Sequence, residues 1–147
     1  LPLACHFRLA ADAGASIGLP EVELGVVPAW GGTARLTRCV GRNHALDLML
    51  RARKIDGHEA LKIGLVHSVH PLARLKAAAN ALARELAAMP PLAVAGILRC
   101  VVGAGAASLQ DALAEERRAV LRCAGTRDQQ EGFAAFLAKR KPVFAGG

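Results

Sequence analysis

The sequence predicts an α/β fold in which a strand-bearing half is followed by a helical half. Two short apolar runs, at residues 3–11 and 65–69, have the length and composition of buried strands. From Pro71 onward, apolar residues recur at intervals of three and four, which is the period of an amphipathic helix. We therefore expect a strand-bearing domain at residues 1–70 and a helical region at residues 71–147.

Turn and cap residues divide the first half into short elements. Residues 16–19 are a second extended segment, because Pro20 disfavours helical backbone at the residue before it. Thr33 is a candidate N-cap for a helix that runs to about Val40, and Gly41 is the stop for that helix.

Two more helices are expected before the second strand. The first covers residues 43–52, where apolar side chains form a broad face. The second is short, because Asp56 with Glu59 matches a helix start and Gly64 follows soon after.

Helix signals continue through the second half of the chain. The Pro-Pro pair at residues 90–91 breaks the first long helix, and another helix follows it. Ser108 with Asp111, and Thr126 with Gln129, match the N-terminal caps of the last two helices.

Composition and charge limit the classes of function. A chain of 147 residues that is 53% hydrophobic is long enough for a domain with a core. Its net charge of +7 fits a solvated basic surface, a nucleic-acid partner or a phosphate-rich small ligand. The nucleic-acid interpretation is disfavoured, since basic residues are not interleaved with aromatic ones and no zinc-finger, RRM or KH pattern occurs.

The cysteines and histidines do not indicate a metal site. The 4 cysteines form no C-x-x-C pair, so we expect reduced thiols in a cytoplasmic protein. His67 and His70 straddle a predicted strand end and a proline, and a metal site needs more ligands than these. We therefore expect no metal. No apolar run approaches the roughly 18 residues of a membrane span, so we also expect no membrane as a partner.

The most informative segment is residues 19–36, Leu-Pro-Glu-Val-Glu-Leu-Gly-Val-Val-Pro-Ala-Trp-Gly-Gly-Thr-Ala-Arg-Leu. It places Glu21 between an apolar extended segment and a Gly-Gly turn, and a partly desolvated carboxylate there can exchange protons near neutral pH. Glu23 is the neighbouring candidate, because residues two apart share one face of an extended segment. A solvated surface glutamate is the alternative for both. The Gly-Gly pair is better explained as a tight turn than as a phosphate-binding helix start.

Four motifs follow one another along the chain: Ala-Cys-His-Phe-Arg-Leu-Ala at residues 4–10, Gly-Leu-Pro-Glu-Val with Leu-Gly-Val-Val-Pro-Ala-Trp-Gly-Gly-Thr at 18–33, Gly-Leu-Val at 64–66, and Phe-Leu-Ala-Lys-Arg-Lys-Pro-Val-Phe at 136–144. In this order they resemble the enoyl-CoA hydratase/isomerase (crotonase) superfamily. The chain departs from the family pattern at two positions, where His6 replaces the usual Asp and Ala29 replaces a frequent Gly.

The resemblance implies the C-terminal part of a crotonase-like (ClpP/crotonase) ββα spiral. The helical region that follows would be an oligomerisation region that forms trimers or hexamers. The resemblance also implies that Glu21 transfers the proton at the carbon next to the thioester carbonyl. The family's oxyanion-hole donors and the first glutamate of its hydratases lie upstream of the motif at residues 4–10, so we expect this chain to lack them.

The resemblance further suggests which residues bind the substrate, a coenzyme A thioester, and it implies no additional cofactor. Pro28, Ala29 and Trp30 would shape the acyl pocket, although we expect Trp30 mainly to anchor its loop by packing. Phe136 matches a position that contacts adenine, and Lys139 matches one near the phosphates. A solvated helix end whose cations favour the helix dipole is an equal alternative for these two residues.

The expected function is hydration of a 2-enoyl-CoA in the catabolism of fatty acids or related acyl-CoA compounds. Isomerisation of the double bond, or another acyl-CoA reaction of the family, is the first alternative. An isomerase can work with one carboxylate, whereas a hydratase needs a second one to activate water. A non-catalytic oligomerisation fragment, which keeps the helices and lacks the chemistry, is the alternative from a different class.

Overall fold

A computed structural model describes residues 2–147 of the chain. It contains two compact units, Leu1–Asn80, described from residue 2, and Ala81–Gly147. The boundary lies inside α3 (Leu72–Ala87), which begins in the first unit and ends in the second. The role of residues 71–147 in oligomerisation stays a prediction.

A two-stranded parallel sheet lies in the first unit. It pairs β1 (Leu9–Ala11) with β2 (Ser68–His70), and Leu9 lies opposite Ser68. The predicted first strand was too long, because its first residues form a 3-10 helix, Pro2–Ala4, closed by a hydrogen bond from Cys5 N–H to the Pro2 carbonyl. The expected extended segment at residues 16–19 is present only as an isolated bridge between Ile17 and Ile55.

The second strand also begins later than predicted. The backbone N–H groups of Leu65 and Val66 both donate to the carbonyl of Ala60, at 2.8 and 3.2 Å. These bonds close the end of α2 (Gly57–Lys62), so the two residues cannot use the same donors in a sheet. The strand is therefore confined to residues 68–70.

The long helix α1 (Gly32–Leu50) contains a break at Gly41, whose φ of 77° and ψ of 166° are not helical. This confirms Gly41 as the end of the first predicted helix. The Thr33 cap was wrong, because the helix begins one residue earlier and is preceded by Gly31 at φ 79°, with no side-chain cap. The helix start at Asp56 is confirmed, since its carboxylate accepts a 2.8 Å hydrogen bond from Glu59 N–H.

Apolar side chains of β1, α1, α2 and the segment before β2 form the core of the first unit. Its buried members are Ala10, Leu36, Val40, Ala45, Leu48, Ile55, Ala60, Leu65 and Val66. Leu19 packs against this core just before the loop that carries Glu21, and α1 begins at Gly32 just after it, so the loop is anchored at both ends.

The second unit is helical, with α4 (Pro91–Ala104), α5 (Leu109–Cys123) and α6 (Arg127–Leu137). Helices α4 and α5 approach closely at Gly96, where an added Cβ would lie 3.1 Å from the Cβ of Ala119. Both predicted caps are confirmed: Ser108 Oγ accepts from the N–H of Asp111, and Thr126 caps α6 in the same way.

No single helix among residues 2–147 is long and apolar enough to cross a bilayer. The pair α3 and α4 meets that test only when its two helices are taken together across their bend, on length and composition alone.

Candidate active site

Glu21 is the first residue of a 3-10 helix, Glu21–Leu24, rather than part of an extended segment. Its carboxylate oxygen Oε2 is buried and has no hydrogen-bond partner among residues 2–147. Glu23 is exposed in the same helix. The expectation that the two glutamates share one face was therefore wrong, since a 3-10 helix aligns residues three apart. The buried Oε2 distinguishes the half-buried Glu21 from the exposed Glu23.

The backbone of Glu21 is held by the turn that ends its 3-10 helix. Gly25, at φ 69°, donates its N–H to the carbonyls of Glu21 and Val22, and Val26 N–H also donates to the Glu21 carbonyl, at 3.2 Å. The left-handed conformation at Gly25 is one that residues with a Cβ adopt only at a cost. This turn orients Glu21 without using its carboxylate.

The Gly-Gly pair forms a tight turn at the start of α1. Gly31 adopts φ 79°, and a Cβ on Gly32 would lie 3.1 Å from the Cβ of Pro28. Trp30 adopts the left-handed φ of 55°, and its carbonyl accepts a 2.7 Å hydrogen bond from Arg35 Nη1. Glycine is therefore needed here for backbone conformation and for close approach, which accounts for the pair as a turn.

A cavity of about 870 Å³ lies in the first unit. Its walls are mainly apolar and include side chains that also belong to the core, such as Leu36 and Leu65. Ala29 and Trp30 line it, whereas Glu21 and Pro28 do not. Of the predicted acyl-pocket residues, Ala29 and Trp30 thus lie at this cavity, and Pro28 lies behind the turn, next to Gly32.

The role expected for Trp30 as a packing anchor is not what the structure shows. The residue is 97% exposed, so its ring is not packed against residues 2–147. The left-handed backbone at Trp30 turns the chain into α1. Trp30 remains a candidate for contact with a ligand at the cavity, because an exposed indole is free to pack against one.

Phe136 and Lys139 belong to the second unit, at the C-terminal end of α6. Phe136 is 80% exposed, and Lys139 is exposed with φ 51°. Neither side chain is used in the packing of this unit, so both are accessible to a ligand.

Two carboxylates that organise the chain after α6 were not predicted from the sequence. Glu131 forms an ion pair with Arg140, and Asp128 accepts hydrogen bonds from the backbone at Ala145 and Gly146. The pKa of Glu131 is lowered to about 2, first by its hydrogen bonds with Arg140 and then by the N–H of Val143. The available signal was a pair of acidic residues in α6 followed by a basic tail, but spacing alone does not show that such a tail folds back.

A second network joins the end of α1 to α2. The guanidinium of Arg53 pairs with Asp47, and with Glu59 at 2.7 Å. The hydrogen bond from Arg53 is the main reason why the pKa of Asp47 is lowered. These groups line a cavity of about 560 Å³, and their mutual pairing identifies them as structural.

The histidines near β2 have internal partners. His67 Nδ1 accepts a 3.2 Å hydrogen bond from the N–H of Arg8, and His70 Nε2 shares one of 2.8 Å with Ser68 Oγ. Within residues 2–147, no group of three or more His, Cys, Asp or Glu residues is arranged to hold a metal ion.

The family described as enoyl-CoA hydratase/isomerase matches residues 1–147. The probable enoyl-CoA hydratase echA8 of Mycobacterium tuberculosis (strain CDC 1551 / Oshkosh) is 41% identical over 144 residues, which cover 98% of this chain and 56% of that protein. The 2,3-dehydroadipyl-CoA hydratase of Escherichia coli (strain K12) is 38% identical over 146 residues, which cover 99% of this chain and 57% of that protein.

The fold is shared with solved structures of similar sequence. An enoyl-CoA hydratase from Bacillus anthracis has a TM-score of 0.92 and 36% identity, over 99% of this chain and 56% of that one. A putative enoyl-CoA hydratase/isomerase from Mycobacterium abscessus has a TM-score of 0.93 and 32% identity. The crotonase-like fold is therefore supported. This chain spans about half the length of the relatives that it matches, and its assignment to their C-terminal part stays a prediction.

Proposed function

We propose that the protein adds water to the double bond of 2-enoyl-CoA thioesters, since the chain belongs to the enoyl-CoA hydratase/isomerase family. The observation that carries the proposal is the buried oxygen Oε2 of Glu21, which has no partner within residues 2–147. A buried polar atom without a partner costs stability, so its presence needs a reason. Proton transfer to a substrate is such a reason, because it requires a carboxyl group that is not already engaged.

In the proposed reaction, the oxygen of water bonds to C3 of the enoyl group as one of its protons passes to the carboxylate that activates the water, and a proton is added at C2. Glu21 delivers the proton to C2 in hydration and removes it in the reverse direction. Negative charge develops on the thioester oxygen between these steps and requires hydrogen-bond donors that form an oxyanion hole. We assign those donors, and the second carboxylate that activates water, to other parts of the whole protein. No cofactor beyond the coenzyme A thioester takes part.

Substrate binding is assigned to two groups of residues. Ala29 and Trp30, at the cavity, and Pro28, behind the turn, shape the acyl end of the site. Phe136 packs against the adenine, and Lys139 lies near the phosphates. Their exposure supports these roles, since a side chain already buried in the unit would be unable to reach a ligand.

The test is turnover of crotonyl-CoA by the full-length protein and its Glu21→Gln variant. We expect the substitution to lower kcat by about 100-fold or more, as for loss of a general acid–base group. Glu23→Gln is the matched control, because Glu23 is an exposed carboxylate in the same 3-10 helix. Similar losses in the two variants, or none in Glu21→Gln, would contradict the assignment. Conversion of a 3-enoyl-CoA without hydration of crotonyl-CoA would favour the isomerase instead.

A role in assembly without catalysis is the second candidate, and it is favoured by exposed apolar side chains in the second unit. Ile97 and Val101 of α4 are 61% and 69% exposed, and Leu113 and Val120 of α5 are 53% and 62% exposed. Such residues support association into a homotrimer or hexamer. Hydration of crotonyl-CoA by the 147-residue chain alone would overturn the assembly-only function, whereas sedimentation as a monomer would overturn the oligomer.

A further inference from the structure

The chain after α6 forms a C-terminal strap, residues 138–147, that a carboxylate holds against the helix. Glu131 accepts two hydrogen bonds from the guanidinium of Arg140, at 2.6 and 2.8 Å. It accepts a third from the backbone N–H of Val143, at 2.8 Å. Paired contacts between a carboxylate and a guanidinium fix direction as well as distance. The position of the strap immediately after α6 is therefore set by one side chain.

A second carboxylate holds the far end of the strap. Asp128 is 8% exposed and accepts hydrogen bonds from Ala145 N–H at 2.8 Å and from Gly146 N–H at 3.1 Å. The ring of Phe144 covers Gly132, where an added Cβ would lie 3.8 Å from Cε1 of the ring. The strap is thus attached at both ends, with an aromatic contact between them.

The first residues of the strap close α6 with a backbone conformation that is unusual for a lysine. Lys139 has φ 51°, and its N–H donates to the carbonyl of Phe136 at 3.1 Å. The N–H of Arg140 donates to the carbonyl of Ala135 at 3.0 Å. This pair of bonds is the Schellman helix ending, whose left-handed position glycine normally occupies. A lysine is held there against its conformational preference, which points to a use for its side chain.

The three basic residues of the strap differ in their availability. Arg140 is committed to Glu131. Lys139 and Lys141 are exposed and form no ion pair within residues 2–147. Their ammonium groups can therefore bind an anion without first losing a partner. The ion pair of Arg140, which lies between them in sequence, with Glu131 fixes the backbone.

We propose that Glu131 is a positioning residue for the phosphates of the coenzyme A thioester: by holding Arg140 and Val143, it fixes the strap so that Lys139 presents its ammonium group to them. This inference rests on the proposed function and adds to it a residue that does not itself touch the substrate. The ligand group that Glu131 affects is the nucleotide end, so the acyl end and the proton transfer are independent of it.

The experiment compares two thioesters in the full-length protein. Crotonyl-CoA carries the phosphates, and the crotonyl thioester of N-acetylcysteamine keeps the reactive group without them. In Glu131→Gln, we expect KM for crotonyl-CoA to rise roughly five- to tenfold with kcat unchanged, because a charged contact is misplaced. We expect both constants for the truncated thioester to stay as they are. Glu131→Asp, which keeps a carboxylate, should recover part of the loss and serves if the glutamine variant does not fold.

Glu116→Gln is the matched control, since Glu116 is an exposed carboxylate of α5 that forms no ion pair within residues 2–147. Equal losses with both thioesters would overturn the inference in favour of a purely structural role, and unchanged kinetics would overturn it as well. If the unsubstituted protein hydrates neither thioester, the proposed function fails separately. Calorimetry with free coenzyme A then tests the positioning role of Glu131. Equal affinity of Glu131→Gln and unsubstituted protein for coenzyme A would overturn that role.

Discussion

The guanidinium of Arg8 donates a 2.6 Å hydrogen bond to the carbonyl oxygen of Leu65, and so joins the residue before β1 to the segment that leads into β2. The same guanidinium reaches the carbonyl of Cys5 at 2.7 Å and Sγ of Cys39 in α1 at 3.1 Å. One side chain thus connects parts of the first unit that lie far apart in sequence.

Arg8→Ala should lower the free energy of unfolding by about 2–3 kcal/mol, because the partners of a charged donor lose their hydrogen bonds together. Arg8→Lys is the control, since it keeps the charge but lacks the planar fork that reaches several acceptors. We expect it to recover only a minor part of the loss in urea unfolding. Full recovery by lysine would mean that charge, rather than the hydrogen-bond geometry, is what matters.

Glu21 should show a conflict between stability and activity. Its Oε2 is buried without a partner within residues 2–147, so Glu21→Leu should raise the free energy of unfolding by about 1 kcal/mol while abolishing hydration. Glu23→Leu, at an exposed position, should change stability by less than about 0.5 kcal/mol. The measurement is urea unfolding beside a crotonyl-CoA assay. A Glu21→Leu variant that is markedly less stable would show that the carboxylate has a structural partner.

The parts of the fold that depend on neighbouring residues could be predicted from the sequence. Asp56, Ser108 and Thr126 each cap a helix through an N–H three residues onward, so the signal and its partner lie within one turn. Gly41 interrupts α1 because its own backbone conformation is non-helical. The order of motifs also led to the family, because it is carried by residue types rather than by contacts.

The parts that depend on distant partners could not be predicted. Strand β2 was placed too early because Leu65 and Val66 donate to α2, and Arg8 bonds across 57 residues to Leu65. Glu131 and Arg140 pair across nine positions that include the end of a helix. Their pairing requires the strap to fold back, which no local pattern of charges specifies.

Lys139→Gly should stabilise the protein and weaken its binding of crotonyl-CoA. Lys139 has φ 51°, and glycine adopts this region without the crowding that a Cβ causes, so we expect a gain of about 1 kcal/mol. KM should rise because an ammonium group near the phosphates is lost. Lys141→Gly is the control, since Lys141 has no positive φ and offers no such gain. Thermal unfolding and initial rates together decide the outcome, and a destabilised Lys139→Gly would contradict it.

The ion pair between Glu131 and Arg140 should make stability depend on pH in acid. The pKa of Glu131 is about 2 in the folded chain against an ordinary 4.5, so the unfolded chain binds the proton more readily. The contribution of Glu131 is therefore fully present above the unfolded value and is lost as the pH falls toward 2. Urea unfolding between neutral pH and pH 2 should show the difference between unsubstituted protein and Glu131→Gln disappear over that interval. Arg140→Gln should make the free energy of unfolding depend less on pH over the same interval. A stability difference between unsubstituted protein and Glu131→Gln that persists near pH 2 would contradict the assignment.

Two glycines in helices should respond to alanine in opposite directions. A Cβ on Gly57, the first residue of α2, would lie 2.2 Å from the carbonyl oxygen of Ala11 in β1, so Gly57→Ala must displace backbone. We expect a loss of about 3 kcal/mol in the free energy of unfolding. Gly103 is the second-last residue of α4, and no atom outside its own stretch of helix lies within 4 Å of an added Cβ, so Gly103→Ala should gain about 0.5–1 kcal/mol from helix propensity. Urea unfolding of both variants tests the contact between α2 and β1, and a stable Gly57→Ala would show that the two elements separate at no cost.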